Sequence, residues 1–247
     1  MRNLKKFLAL VLAMMMVMGL MVTANAKSLD KFTDGTDVDP KYQTAADVLS
    51  QLDIIRGQGD GTNWAPEQIL KRSEVATLVY RVMTGDVKDT YVVDWEKWDL
   101  FDDLADAAWA AGYINYAANA KIVFGNGEGQ FVPNGDITGY QMLAIMLRVL
   151  GYGQQGEYQG DRWEYAVFED ATTLGLIRGV ALDLSQPIQR QVVAQIIYNA
   201  MGIELVEWNG LRYVGQEKNL IGTSATTSFN SWGRPTTKVT ATYNKMK

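Results

Sequence analysis

Ile54–Val82, IIRGQGDGTNWAPEQILKRSEVATLVYRV, decides the reading of the fold, because its pattern returns twice further along the chain. It is a short apolar run, a glycine-rich loop closed by Trp64-Ala-Pro66, and an amphipathic helix. In that helix Val75, Leu78, Val79 and Val82 fall at i, i+3, i+4 and i+7, which puts four apolar side chains on one face. Adding 67 to each number gives Met142, Ile145, Met146 and Val149, and adding 118 gives Val193, Ile196, Ile197 and Ala200. The loop recurs one residue shorter as Gly125–Pro133, aligning Phe131 and Pro133 with Trp64 and Pro66. In a third copy Gly179 follows Leu176 and Ile177, but its loop is shorter and lacks the second glycine. The spacing predicts three copies of one supersecondary unit, the last the most worn.

Outward from that stretch, Asp39-Pro40 reads as a helix start, an N-cap acceptor followed by a ring with helical φ. Tyr42, Ala45, Leu49 and Leu52 give that first helix a buried stripe, so the first unit runs over 32–84. After an acidic connector at 85–100, Phe101-Asp102-Asp103 restarts the pattern as Phe32-Thr-Asp34 began it, and the second unit covers 101–150. Its first helix holds Trp109, Tyr113, Ile114 and Ala117, and Trp109 aligns with Trp163; both tryptophans are read as core. The third unit covers 162–202. Glu204–Trp208 and Leu211–Val214 around Asn209-Gly210 read as a tight β-hairpin within 203–247, whose polar tail is either a further strand pair or a disordered end.

At the other end, Arg2, Lys5 and Lys6 precede an uncharged apolar run from Phe7 to Val22 and the small-residue ending Ala24-Asn25-Ala26, the pattern of a cleaved signal peptide over 1–26. That segment holds no acidic residue, so its removal leaves 28 acidic against 20 basic groups. The acidic balance speaks against nucleic acid and anionic membrane as partners. With no cysteine there is neither a disulfide framework nor a lipid-accepting thiol, and with no histidine the commonest general base and zinc ligand are missing. A composition of 47% hydrophobic and 11% aromatic residues is that of a folded chain whose stability comes from packing. The carboxylates at Asp34, Asp37, Asp39, Asp60 and Glu128 do not match the twelve-residue calcium loop, and neither metal nor cofactor is expected.

The three units resemble the S-layer homology (SLH) family, whose repeats run from Phe-x-Asp through Gly-Asp-Gly-x-Phe-x-Pro to Ile-Thr-Arg-Ala-Glu. The likeness covers 32–202 and is fullest in the first unit, with Gly59-Asp60-Gly61, Trp64-Ala-Pro66 and Leu70-Lys71-Arg72-Ser73-Glu74. It implies a mainly α fold of three helix–loop–helix repeats around a pseudo-threefold axis, with grooves between neighbours and a small C-terminal β-hairpin. It also implies an exported cell-surface protein, with no enzymatic activity, held noncovalently to secondary cell-wall polysaccharide through a pyruvate ketal on its sugars. In the family pattern the motif arginine and the amides of the glycine loop receive the anion, as a guanidinium fork and consecutive N–H groups suit a carboxylate.

Carried onto this sequence, the ligand set is Arg72, Gly59, Asp60, Gly61, Trp64, Glu74, Asp34 and, in the third unit, Arg190. The second unit has Gly139 where the arginine belongs, so its groove is expected to be weak or empty. Several of these residues carry a structural reading beside the functional one. Glu74 starts a helix well as an N3 acid, as Gln141 does in the capping box Thr138-x-x-Gln141. Trp64 and Phe131 fit core packing as well as a sugar face, and Asp34 and Asp102 fit a turn cap as well as a ligand contact. A second functional reading also stands: a divergent SLH protein serving as an S-layer subunit or an adaptor for other surface proteins, without glycan binding.

Overall fold

The computed structural model describes residues 28–181, 183–229 and 235–243. The expected signal peptide lies outside them. Among the described residues six α-helices form the body: α1 Gln43–Gln51, α2 Arg72–Thr84, α3 Ala111–Asn119, α4 Gly139–Val149, α5 Trp163–Leu174 and α6 Arg190–Met201. Two antiparallel hairpins follow, β1 Glu204–Trp208 with β2 Tyr213–Asn219, and β3 Ile221–Phe229 with β4 Pro235–Tyr243. Among the described residues no helix is long and apolar enough to cross a membrane.

All twelve residues of the three apolar stripes are buried, on α2, α4 and α6, in one continuous core. The segments leading into those helices hold the core together. The Leu70 N–H donates to Ile188 O, Ile188 N–H to Ile137 O and Ile137 N–H to Leu70 O, at 3.2, 2.9 and 3.2 Å. Residues 70, 137 and 188 are the positions related by 67 and 118, so this ring closes on equivalent atoms. Two residues further along the cycle repeats: Arg72 N–H donates to Gly135 O, Gly139 N–H to Gln186 O and Arg190 N–H to Gln68 O, at 3.0, 3.2 and 2.9 Å. A helix's first N–H groups have no partner within the helix. Here each of these helix starts takes its partner from a neighbouring segment's loop, which fixes who faces whom: α2 meets the 125–135 loop, and α6 meets the 57–68 loop.

Local chemistry explains the starts. Thr138 and Gln141 form the full capping box, with Gln141 N–H donating to Thr138 Oγ1 and Thr138 N–H to Gln141 Oε1. At α2 only the reciprocal half exists, Lys71 N–H to Glu74 Oε2 at 2.8 Å, because a lysine side chain cannot accept. α1 begins three residues beyond Pro40. Asp39 instead closes a turn, its Oδ1 accepting the Lys41 N–H, while Tyr42, Ala45, Leu49 and Leu52 are buried as the periodicity predicts.

Trp109 corrects the sequence reading. It is 60% exposed, since it sits in a 3-10 segment, Leu104–Ala110, whose Ala107 has non-helical φ/ψ. The predicted stripe runs back past Ala111, where α3 begins, into this tighter 3-10 turn, whose three-residue repeat takes Trp109 off the buried face. Trp163 is half-buried at the start of α5. The 85–100 connector folds back on α3, where the buried Asn115 amide donates to Trp95 O and Trp98 O. In the first hairpin Trp208 pairs with Tyr213, so the connection is 209–212, four residues in place of two. Asn209 Oδ1 accepts the Leu211 and Arg212 N–H groups and takes both residues out of the strand. The tail is a strand pair, with Ile221 opposite Tyr243 and Phe229 opposite Pro235.

Candidate functional site

Because α2 starts against the 125–135 loop, the Arg72 side chain leaves its own unit and lies on the next one. Its Nε donates to Phe131 O at 2.9 Å, its terminal nitrogen to Phe124 O at 2.7 Å, and its guanidinium stacks 4.4 Å from the Phe131 ring centroid. Beside it opens a cleft of about 450 Å³, lined by Val123 and Phe124, by Gln141, Ile145 and Arg148 of α4, and by Tyr158 and Trp163. Arg148 is the second cation there. It donates to Tyr158 O at 3.1 Å and lies 4.9 Å from the Phe124 ring. Burial pulls the proton affinity of both guanidiniums down from its ordinary value, with Asp103 partly restoring it at Arg72. Neither arginine has an ion pair among the described residues, and no carboxylate lines the cleft. Two guanidiniums without ion pairs, beside the exposed Phe124 and half-buried Trp163, give the cleft a positive charge and apolar walls.

The remaining predicted residues gather elsewhere. Gly59, Asp60 and Gly61 are exposed at the tip of the first loop, where Asp60 Oδ1 accepts the Thr62 N–H and hydroxyl. Trp64 is fully buried, its indole N–H donating to Ser50 Oγ at 2.9 Å, and Phe131 is 1% exposed, so neither presents a face to a sugar. Asp34 forks the Trp64 and Ala65 N–H groups at 2.6 and 2.7 Å, which holds Ala65 at φ 56°. Its counterpart is Asp103, not Asp102: Asp103 forks Phe131 and Val132 N–H at 2.9 and 2.7 Å, with Val132 at φ 59°. Glu74 accepts from the Gln58 and Gln68 amides as well as from Lys71 N–H.

Arg190, from α6, meets this first loop. It is 5% exposed, lies 5.4 Å from the Trp64 ring and donates to Arg56 O. The predicted set therefore splits in two. Arg72 belongs with the second loop, while Gly59–Gly61, Trp64, Glu74 and Asp34 belong with Arg190.

The profile of the S-layer homology domain matches residues 100–143, which include the 125–135 loop and the start of α4. A "Cell surface protein" of Thermoanaerobacter kivui is 30% identical over 217 residues, covering 87% of this chain and 27% of that protein. The chain belongs to the S-layer homology family. A "Middle cell wall protein" of Brevibacillus brevis is 24% identical over 203 residues, covering 82% of this chain and 18% of that protein. "Exoglucanase XynX" of Acetivibrio thermocellus is 25% identical over 170 residues, 63% of this chain and 15% of that protein. The chain thus spans about a quarter or less of the length of these relatives.

Within this SLH chain the helix start of the second unit lacks the guanidinium, and its surroundings would not admit one. Gly139 is buried, and a Cβ there would sit 2.8 Å from Leu184 Cα in the shortened third loop. Sequence reasoning missed Arg148, Phe124 and Tyr158, and assigned Trp163 to the core. One signal was present for Arg148: adding 67 to Arg81 lands on it, whereas adding 118 lands on Asn199. All three donate to the same turn after the unit's first helix, to Ile54 O, Ile122 O and Leu176 O.

Proposed function

We propose that this is an exported cell-surface protein whose three SLH repeats, set about a pseudo-threefold axis, hold it noncovalently to secondary cell-wall polysaccharide. The closed ring of equivalent hydrogen bonds through Leu70, Ile137 and Ile188 supports the threefold arrangement. The surface and wall names of the relatives support the location. The anionic group of the polymer, a pyruvate ketal, enters the Arg72–Arg148 cleft.

The observation that carries this reading is the pairing of two guanidiniums in a cleft free of lining carboxylates, in a chain of net acidic composition. Such a site discriminates a carboxylate-bearing sugar from a neutral one by charge, and Phe124 and Trp163 supply the apolar faces. The protein performs no chemistry on the glycan; attachment is the function. Cosedimentation of the chain with purified pyruvylated wall polysaccharide tests it. Binding by the natural chain and loss in an Arg72→Ala, Arg148→Ala double variant support the reading, and unchanged binding by that variant refutes it.

The second reading, an S-layer subunit or adaptor that binds proteins, has its own observation. Tyr91, Trp98 and Trp109 expose 67%, 47% and 60% of their surface around the start of the second unit. Self-assembly without polysaccharide, abolished by Trp109→Ser, favours it.

A further inference from the structure

The Arg190 groove is built from the same parts as the Arg72 cleft. Arg190 corresponds to Arg72 and Arg81 to Arg148. The carbonyl of Arg56 receives Arg190 as that of Phe124 receives Arg72, and Trp64 takes the place of Phe131. One group has no counterpart. Asp89, in the 85–100 connector and held at φ 58°, lies on Arg81 and Arg56 of this set. Its Oδ1 accepts Arg81 Nε at 2.9 Å, and its Oδ2 accepts terminal nitrogens of Arg81 and Arg56, each at 2.8 Å. Arg81 and Asp89 are 11% and 15% exposed, so the pair is largely withdrawn from water. At the equivalent point Arg148 meets neutral backbone carbonyls, those of Tyr158 and Ile122.

A second observation is independent of Asp89. Arg190 Nε is buried with no hydrogen-bond partner among the described residues, whereas Arg72 Nε donates to Phe131 O. Buried donors are ordinarily paired, so this groove contains an unmet demand for an acceptor. The other carboxylates near Arg190 are spoken for: Glu74 by two amides and a helix start, Asp34 by two backbone N–H groups.

We propose that the Arg56–Arg81–Arg190 groove is a second carboxylate-binding site that the chain's own Asp89 fills as an internal ligand. The bidentate fork it makes on Arg81 is the geometry a ketal carboxylate would adopt. This rests on the reading that the equivalent Arg72–Arg148 cleft binds a carboxylate. The connector keeps the second groove shut against the same sugar until it is displaced, so the chain presents one open site and one held in reserve.

The test uses the full chain and a methyl glycoside carrying a pyruvate ketal, titrated by calorimetry. Asp89→Gly removes the internal carboxylate at a position whose positive φ glycine adopts freely. Asp89→Asn, which tolerates the same φ, serves if the glycine variant fails to fold by circular dichroism. Stoichiometry is expected to rise from about one to about two per chain. In an Arg72→Ala, Arg148→Ala background, Asp89→Gly is expected to restore about one equivalent, which a further Arg81→Ala removes.

If the natural chain binds one equivalent, loses it in that background, and Asp89→Gly adds none, the second site is refuted and the first stands. If the natural chain binds none and Asp89→Gly binds one, the second site is supported and the Arg72–Arg148 reading falls. Absence of binding by either overturns both.

Discussion

Replacing Arg148 by glutamine separates its role in the fold from its role in binding. In the fold, the guanidinium makes one hydrogen bond of ordinary length, to Tyr158 O at 3.1 Å, a stretched 3.5 Å contact to Ile122 O, and a stack 4.9 Å from the Phe124 ring. One hydrogen bond and a partly exposed cation–π contact contribute about 1–2 kcal/mol between them. A chain of this size would then melt roughly 2–8 °C lower.

Toward a carboxylate ligand, the loss is larger. A charge-assisted hydrogen bond contributes about 1.5–3 kcal/mol, or roughly 10- to 150-fold in affinity. The cleft is open to water, so solvent screening places the expected loss near the lower end, about 10- to 30-fold. The assay is calorimetric titration with pyruvylated polysaccharide well below the melting temperature, with Arg81→Gln in parallel. Arg81 is the register counterpart, but its guanidinium is committed to Asp89 in a largely buried pair. Its loss is expected to cost about 3–5 kcal/mol of stability and to leave the affinity of the first cleft unchanged. An Arg148→Gln variant that binds within twofold of the natural chain would refute the assignment of Arg148 to the site.

Three further outcomes follow from the geometry. Asp34→Ala strands two amides held at 2.6 and 2.7 Å and releases Ala65 from φ 56°, so urea denaturation is expected to show a loss of about 2–4 kcal/mol. Gly139→Arg puts the motif arginine back in the second unit, yet its Cβ collides with Leu184. It is expected to lower stability by about 1–3 kcal/mol and to add no binding, measured by thermal melting and titration. Asp86 accepts the Tyr91 N–H, the Tyr80 hydroxyl and the Thr90 N–H; burial pushes its carboxyl upward, but these bonds outweigh it and hold it below the ordinary 3.8. A depressed carboxylate contributes stability above its unfolded value and loses it as pH falls through the folded one. Asp86→Asn is therefore expected to flatten the stability loss below about pH 4 and to cost about 1 kcal/mol at neutral pH, read from denaturation at a series of pH values.

Features confined to one element were legible in the sequence. The three apolar stripes, the Thr138–Gln141 capping box and the presence of a hairpin after Glu204 depend on residues a few positions apart, where helical periodicity and cap chemistry act. Site residues that depend on the meeting of units were not. Nothing in the local pattern around Arg72 says that its side chain crosses to Phe131, because that follows from the hydrogen-bond cycle among residues 47 or more apart in sequence.

Trp109 departs from the reading because the helical period, carried back from Tyr113, crosses Ala111 into a 3-10 segment. The aspartate counterpart of Asp34 is Asp103 and not Asp102, as Phe-x-Asp counted from Phe101 gives. Asp89 left no trace in the motif, since the connector has no copy with which to compare it.

The central claim is that a carboxylate on the wall polymer is received by Arg72 and Arg148 together. It is tested most directly by titrating the chain with pyruvylated wall polysaccharide and with the same polymer after removal of the ketal. The account predicts saturable binding of the first, lost on depyruvylation and in the Arg72→Ala, Arg148→Ala variant. Equal binding of both polymers, or full binding by that variant, would contradict it.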